Sequence, residues 1–441
     1  MLSSRGARNA VLFDIPWRYA PPHTYDKKTN PSGLISFGMA EHLPMRREIA
    51  DYINSKVIFT EDSVGYRGDP THLPKAVAAH LNRILNPHVP IKPANIVVAT
   101  SATALGGMLG FTLAESGDGI LVSRPIYGRF ELDYGVEAGV EIVYADTDPE
   151  EAFHPDYAVL KYEMALKEAE KRGVKIRAVI IVNPHNPVGR CYPAETLKEI
   201  LRFCDRHHIH FISDEVYASC VFDSGDPEAV PFTSILSFDL SEFIDPDLVH
   251  LLYGFSKDFA AGGLHLGFLV SQNAQLLLAC QATLRLHSPS TAAITIGTTI
   301  LEDTEFTSQF IQKSQESLSR SYRLVTSVFD KEGIQYIKGG NAGFFIYINL
   351  SPYLPRNISV KDHDPQNGNN NNDNKSTGDV HREFALAQHL FDAGVFLHPN
   401  EEHAKEPGWF RLVFAHEEDT LQEGLKRMLG VLRSVNWNDP K

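Results

Sequence analysis

Tyr253-Gly254-Phe255-Ser256-Lys257-Asp258 follows the apolar run Leu248-Val249-His250-Leu251-Leu252, and this pair of segments decides how the rest of the chain is read. The run is short, mostly apolar and closed by a glycine, which fits a strand buried on both faces. A lysine just past the end of such a strand is a candidate Schiff-base nucleophile. Lysines are far more often solvated surface residues, so the assignment depends on what other strand ends carry.

Two further strand ends supply partners. Ala178-Val179-Ile180-Ile181-Val182 runs into Asn183-Pro184-His185-Asn186-Pro187-Val188-Gly189, where proline and glycine stop the strand and present two amides in a tight loop. His210-Phe211-Ile212-Ser213 delivers Asp214-Glu215-Val216-Tyr217. Open α/β sheets bind ligands at the carboxyl ends of their strands, so an amide, an acid with a phenol, and a lysine are expected to converge. That set matches the needs of pyridoxal 5'-phosphate. Lys257 is the Schiff-base partner, and Asp214 keeps the pyridine nitrogen protonated so that the ring can act as an electron sink. Asn186 and Tyr217 donate to the phenolate oxygen.

Elsewhere strands alternate with helical patterns, the mark of an α/β fold with a mostly parallel sheet and covering helices. Asn95-Ile96-Val97-Val98 leads through Ser101-Ala102-Thr103 into a helix-like stretch from Ala104 to Leu113, so backbone N–H groups and two hydroxyls can meet an anion there. Ile120-Leu121-Val122 leads to Tyr127, and Leu266 to Val270 precedes a helical stretch from Ala274 to Arg285. Leu318, Tyr322, Val325 and Phe329 recur at the helical period and predict a long helix joining a large central domain to a smaller one built from both chain ends. The expected division is an N-terminal arm with part of the small domain over 1–65, a large cofactor-binding domain over 66–324, and the rest of the small domain over 325–441. Residues 362–379, rich in Asn, Asp and Gly, are expected to form a disordered surface insertion.

Ser36-Phe37-Gly38-Met39-Ala40-Glu41, Asn183 to Gly189, Ser256-Lys257-Asp258 and Pro407-Gly408-Trp409-Phe410-Arg411 resemble the motifs of the class I/II aminotransferases, the fold-type I pyridoxal phosphate enzymes. Within them the chain is most similar to the 1-aminocyclopropane-1-carboxylate synthase-like branch, which includes carbon–sulfur lyases of fungal sulfur metabolism. The resemblance implies a three-layer large domain with a smaller α+β domain. It also implies that Tyr127 stacks on the cofactor ring, Val216 packs on the other face, and Ser101, Ala102, Thr103 and Ser256 hold its phosphate. Tyr66 would reach the phosphate of a neighbouring subunit, so a homodimer with shared active sites is expected. Arg411 would hold the substrate carboxylate in a forked contact, helped by Asn341 and Asn186, with Glu41 near the substrate. Two positions depart from the pattern: Gly254 stands where many relatives have serine, and His265 where many have arginine. Histidine cannot reproduce the permanently charged fork of arginine.

By this reading the chain is an enzyme acting on an α-amino acid, with carbon–sulfur lyase placed first. Aminotransferase and 1-aminocyclopropane-1-carboxylate synthase are the enzymatic alternatives, and a catalytically silent binding module is the alternative of another class. Composition is consistent with a large globular chain: 441 residues, 43% hydrophobic and 22% charged. A formal charge of −14 argues against nucleic acid and anionic membrane surfaces as partners. No apolar run approaches the roughly 18 residues of a membrane helix, and the N-terminal residues read as cytoplasmic rather than as a signal peptide. Cys191, Cys204, Cys220 and Cys280 have no metal-ligand spacing, so no metal site is expected.

Overall fold

In the computed structural model the described residues are 1–12, 17, 19–65, 71–356, 377–399 and 403–435. The strands in chain order are β1 (Ile35–Ser36), β2 (Ile96–Ala99), β3 (Gly119–Arg124), β4 (Glu141–Asp146), β5 (Ile176–Val182), β6 (His210–Asp214), β7 (Val249–Gly254), β8 (Gly267–Ser271), β9 (Gln335–Tyr336), β10 (Phe345–Asn349), β11 (Val395–Phe396) and β12 (Trp409–Val413). Seven of them form one sheet in the order β2-β8-β7-β6-β5-β3-β4. Only β8 runs against the others, pairing antiparallel with both β2 and β7. The predicted strands around Lys257, Asp214 and Asn186 are thus adjacent and parallel, and their carboxyl ends lie along one edge.

Side chains that alternate along a strand point to opposite faces, and here both faces are dry. In β5, Val179 and Ile181 enter one apolar cluster while Ala178, Ile180 and Val182 enter the other. Helix Ala102–Leu113 packs through Leu105, Met108 and Leu109 on the second face. Helices His72–Leu85, Pro155–Lys171 and Ala194–His207 cover the first. The result is a three-layer α/β arrangement, as the family resemblance implies.

Helix Thr304–Glu332 carries the predicted stripe and spans two cores. Phe310 belongs to the cluster beneath the large sheet, whereas Leu318, Tyr322, Val325 and Phe329 belong to a cluster shared with Ile35, Phe37 and residues of β10 and β12. In that second region β12-β10-β9 form an antiparallel sheet, and β1 pairs parallel with β11. The β1–β11 pairing ties the N-terminal segment to the C-terminal part of the chain. Of the expected insertion, residues 362–376 lie outside the described residues. Thr377, Gly378 and Asp379 are corrected to the start of helix Thr377–Asp392.

One close approach fixes the site's frame. A Cβ on Gly267 would lie 2.4 Å from the carbonyl carbon of Ser101 and 2.7 Å from the nitrogen of Ala102. Glycine at the start of β8 therefore lets the helix beginning at Ala102 sit directly on the sheet edge. Gly267→Ala is expected to cost about 1–3 kcal/mol through overpacking against rigid backbone, read as a lower urea midpoint at unchanged slope.

Candidate active site

A cavity of about 550 Å³ opens at the carboxyl edge of the large sheet, within the size range of small-molecule sites. Lys257 enters it from the single helical turn Phe255–Asp258 that follows β7. Its Nζ donates to the carbonyl of Ala40 at 2.7 Å and lies 5.7 Å from the Tyr217 ring centroid. Burial is the main cause that lowers this amine from 10.5 to about 8. The positive charge of Arg411 lowers it further, against the opposing pull of Glu41, Cys220 and Asp214.

Asp214 ends β6 and accepts one hydrogen bond, from the Val216 N–H at 3.3 Å. Burial raises its carboxyl to about 7, opposed by that hydrogen bond and by Lys257. Tyr217 is buried edge-on to Phe344 and Phe345, and desolvation pushes its phenol well up. Asn186 accepts from Arg411 Nη1 at 3.0 Å, while Arg411 Nη2 donates to the carbonyl of Gly38 at 2.9 Å. Gly189 closes the Asn183–Gly189 loop at φ +75°, and a Cβ there would meet the Phe345 carbonyl at 2.8 Å. A glycine is therefore required where this loop approaches β10.

Ser101, Ala102, Thr103, Tyr127, Val216, Ser256, His265 and Glu41 line the same cavity. Of the two hydroxyls at the helix start, that of Thr103 is engaged by Asp133, whereas that of Ser101 accepts in the helix cap and keeps its own proton for a further acceptor. Ser101 Oγ caps the helix by accepting from Ala104 N at 3.0 Å, and Thr103 bonds the side chain of Asp133. The first backbone N–H groups of an α-helix have no intrahelical acceptor, a chemistry that suits an anion. Glu41 faces Arg46 at 3.4 Å near the mouth. Tyr66 lies outside the described residues.

Asn341 does not join the set. Its amide donates to the Val230 carbonyl at 2.8 Å and its side-chain oxygen accepts from Cys191 Sγ at 3.7 Å, so it ties loops together behind the cavity wall. The expectation that it helps Arg411 hold a carboxylate is therefore corrected: the turn was legible, but not the direction of its side chain.

Several lining residues were not anticipated, among them Tyr19, Met39, Arg129, Asp133 and His398. Asp133 is raised to about 7, chiefly by burial, with the Thr103 hydrogen bond opposing and the charge of Asp214 adding to the rise. A signal for it exists: Tyr127, Phe130 and Tyr134 recur at helical spacing and turn one face of helix Phe130–Ala138 to the site. His398 follows β11 and has no comparable pattern around it.

The residues present fit pyridoxal phosphate. A buried carboxyl with a single donor calls for a cationic N–H opposite it. The amine of Lys257, weakly basic for a lysine, and a helix start exposing backbone N–H groups complete the donor set. Among the described residues no cluster of His, Cys, Asp and Glu has metal-binding geometry, and no helix is long and apolar enough to cross a membrane.

Comparison with known proteins agrees with this chemistry. Residues 63–428 match the family model for aminotransferase class I and II. The chain is 30% identical over 446 residues to the mouse 1-aminocyclopropane-1-carboxylate synthase-like protein 1, covering 98% of this chain and 83% of that protein. It is also 30% identical over 438 residues to 1-aminocyclopropane-1-carboxylate synthase 6 of Oryza sativa subsp. japonica, covering 94% and 75%. In fold it is similar to the aromatic aminotransferase of Pyrococcus horikoshii, with a TM-score of 0.70 at 20% identity over 98% of this chain and 99% of the other. The chain belongs to the class I and II aminotransferases, a family of pyridoxal phosphate-dependent enzymes related here to the 1-aminocyclopropane-1-carboxylate synthases.

Proposed function

We propose that this enzyme binds an α-amino acid through Arg411, removes its Cα proton with Lys257, and expels a sulfur leaving group, as a carbon–sulfur lyase. The observation that carries the reading is the meeting of Lys257, Arg411 and Asp214 in one cavity. Pyridoxal phosphate, when bound, supplies an aldehyde carbon for an amine and a ring that stores the electron pair released at Cα. Asp214 would sit at the ring nitrogen, Tyr217 and Asn186 at the phenolate oxygen, and Tyr127 and Val216 on the two ring faces. The N–H groups of Ala102 and Thr103, with Ser256 and His265 beside them, would take the phosphate.

The remaining steps belong to the chain's own side chains. Arg411 already spends Nη1 and Nη2 on Asn186 and Gly38; an entering carboxylate exchanges these neutral acceptors for a charged one, which is the stronger contact. Lys257 is a competent base because an amine near 8 is substantially neutral in mildly alkaline solution, whereas an ordinary lysine is not. Glu41 is offered as a substrate neighbour at the mouth.

Elimination is favoured over amino transfer by the relatives that match nearly the whole chain. The name of the rice enzyme denotes formation of a cyclopropane amino acid, and closing such a ring on Cα requires a leaving group to depart from Cγ. A lyase uses the same ability to expel a group from the side chain. The proposal includes a homodimer, supported by Ile58, Phe59 and Val64, which are 78%, 51% and 77% exposed beside the segment containing Tyr66. Light scattering is expected to give twice the chain mass.

The deciding experiment supplies the loaded enzyme with cysteine conjugates, common amino acids with a keto-acid acceptor, and S-adenosylmethionine, and identifies products by mass spectrometry. A thiol released with ammonia is expected. A keto acid formed only with the acceptor would make it an aminotransferase, and aminocyclopropane carboxylate a synthase. Lys257→Ala should abolish every turnover while leaving the circular dichroism spectrum unchanged; retained turnover would end the reading. Arg411→Ala is expected to lower kcat/KM by about 2–5 kcal/mol, as for a buried charge-assisted contact. Arg411→Lys should raise KM strongly, since it keeps the charge and loses the fork.

A further inference from the structure

Asp258, the residue after the lysine, takes no part in lining the cavity; it turns into the core, where it is 2% exposed. Donors surround its carboxylate. The Ser219 N–H lies 3.1 Å from each oxygen, Cys220 Sγ donates to Oδ1 at 3.2 Å, and the Tyr253 hydroxyl donates to Oδ2 at 2.7 Å. Behind Tyr253 the row continues: His80 Nε2 is 3.1 Å from the Tyr253 hydroxyl, and Arg83 Nη2 is 3.2 Å from His80 Nδ1.

The direction of this row follows from chemistry. A guanidinium can only donate, so His80 Nδ1 accepts and the single proton of the neutral ring sits on Nε2, facing Tyr253. Burial keeps His80 neutral by pushing it down to about 3, with the charge of Arg83 acting in the same direction. Every hydrogen therefore points one way, from exposed Arg83 through two fully buried side chains to Asp258. Burial lifts the Asp258 carboxyl to about 6, and Tyr253, Ser219 and Cys220 hold it against a larger rise.

Ser219 and Cys220 belong to the turn that begins with Val216 and Tyr217, two walls of the cavity. The carboxylate of Asp258 thus joins the turn that carries the lysine to the turn that carries the surface it packs against. We propose that Asp258 is a positioning residue which, braced by Tyr253 and His80, holds the half-buried Lys257 amine against the Val216–Tyr217 wall and limits its contact with water. The proposal rests on Lys257 being the reactive amine of the function proposed above.

The charged groups acting on Lys257 are Arg411 on β12, Glu41 on the segment after β1 and Asp214 on β6; the Cys220 thiol, kept protonated by burial, and the Tyr217 ring lie alongside. Replacing Asp258 leaves all of them in place. A loosened turn admits water to the amine, and relief of desolvation raises its proton affinity.

The test is to treat the full-length chain, freed of cofactor, with trinitrobenzenesulfonate across a pH series and to quantify modification of Lys257 by mass spectrometry. The wild-type midpoint should fall near 8. Asp258→Asn and Tyr253→Phe should each move it upward by about one pH unit or more, a tenfold loss of neutral amine at fixed pH. Tyr253→Phe keeps the ring in the core and removes only the hydroxyl, so it answers the question even if Asp258→Asn fails to fold. A wild-type midpoint near 8 with an unmoved midpoint in Tyr253→Phe, whatever its melting temperature, overturns the positioning role and leaves the proposed function standing. A wild-type midpoint at the ordinary lysine value overturns both.

Discussion

Two cations, Lys257 and Arg411, face one cavity at the edge of the large sheet, and the chain has to keep them apart in their behaviour while bringing them within reach of one small molecule. Arginine keeps its proton under any ordinary condition, so the lysine is the group that yields. Burial lowers its proton affinity first, and the neighbouring guanidinium lowers it again. The stretch from Gly38 to Ala40 mediates between them. The carbonyl of Gly38 accepts from Arg411 and that of Ala40 accepts from Lys257. This short strap follows the β1 strand, itself fixed by parallel pairing to β11. The N-terminal segment, the C-terminal region and the large sheet therefore meet in three residues of backbone.

The topology makes this possible. Because β5, β6 and β7 run parallel and adjacent, their ends deliver Asn186, Asp214 and Lys257 to one edge without any long loop. The reversed strand β8 returns to the same edge with Gly267, whose missing side chain admits the start of helix Ala102–Leu113. Rigid elements, each packed on both faces, thus set the first contacts, and the loops only finish them.

Much of this was legible in the sequence, for reasons that differ from residue to residue. Asn186, Asp214 and Lys257 stand within a few residues of the ends of apolar runs, so the pattern that predicts a buried strand also predicts where its end projects. The stripe Leu318, Tyr322, Val325, Phe329 gave the long helix, because a period of three to four residues has few other readings. What stayed hidden was orientation and backbone. Asn341 sits in a turn as expected, yet its amide faces Val230 and Cys191, since a turn residue's direction depends on neighbours distant in sequence. Ser101 and Thr103 both line the cavity, but the sequence did not show that the Thr103 hydroxyl bonds Asp133 or that Ser101 Oγ also accepts in the helix cap. The carbonyls of Gly38 and Ala40 carry no side-chain signal at all.

Asp214 and Asp258 show how burial alone fails to define a role. Both carboxyls are buried and both are raised, to about 7 and about 6. Asp258 is met by donors from Ser219, Cys220 and Tyr253, a nearly complete set for an ionised carboxylate held inside protein. Asp214 has the Val216 N–H, and its remaining capacity is turned to the cavity. A fold gains nothing by leaving a buried acid so poorly satisfied, because an incomplete polar contact in a low dielectric is costly. The shortfall supports the proposed pairing of Asp214 with a cationic ring nitrogen, and the satisfied carboxylate of Asp258 fits the bracing role proposed for it.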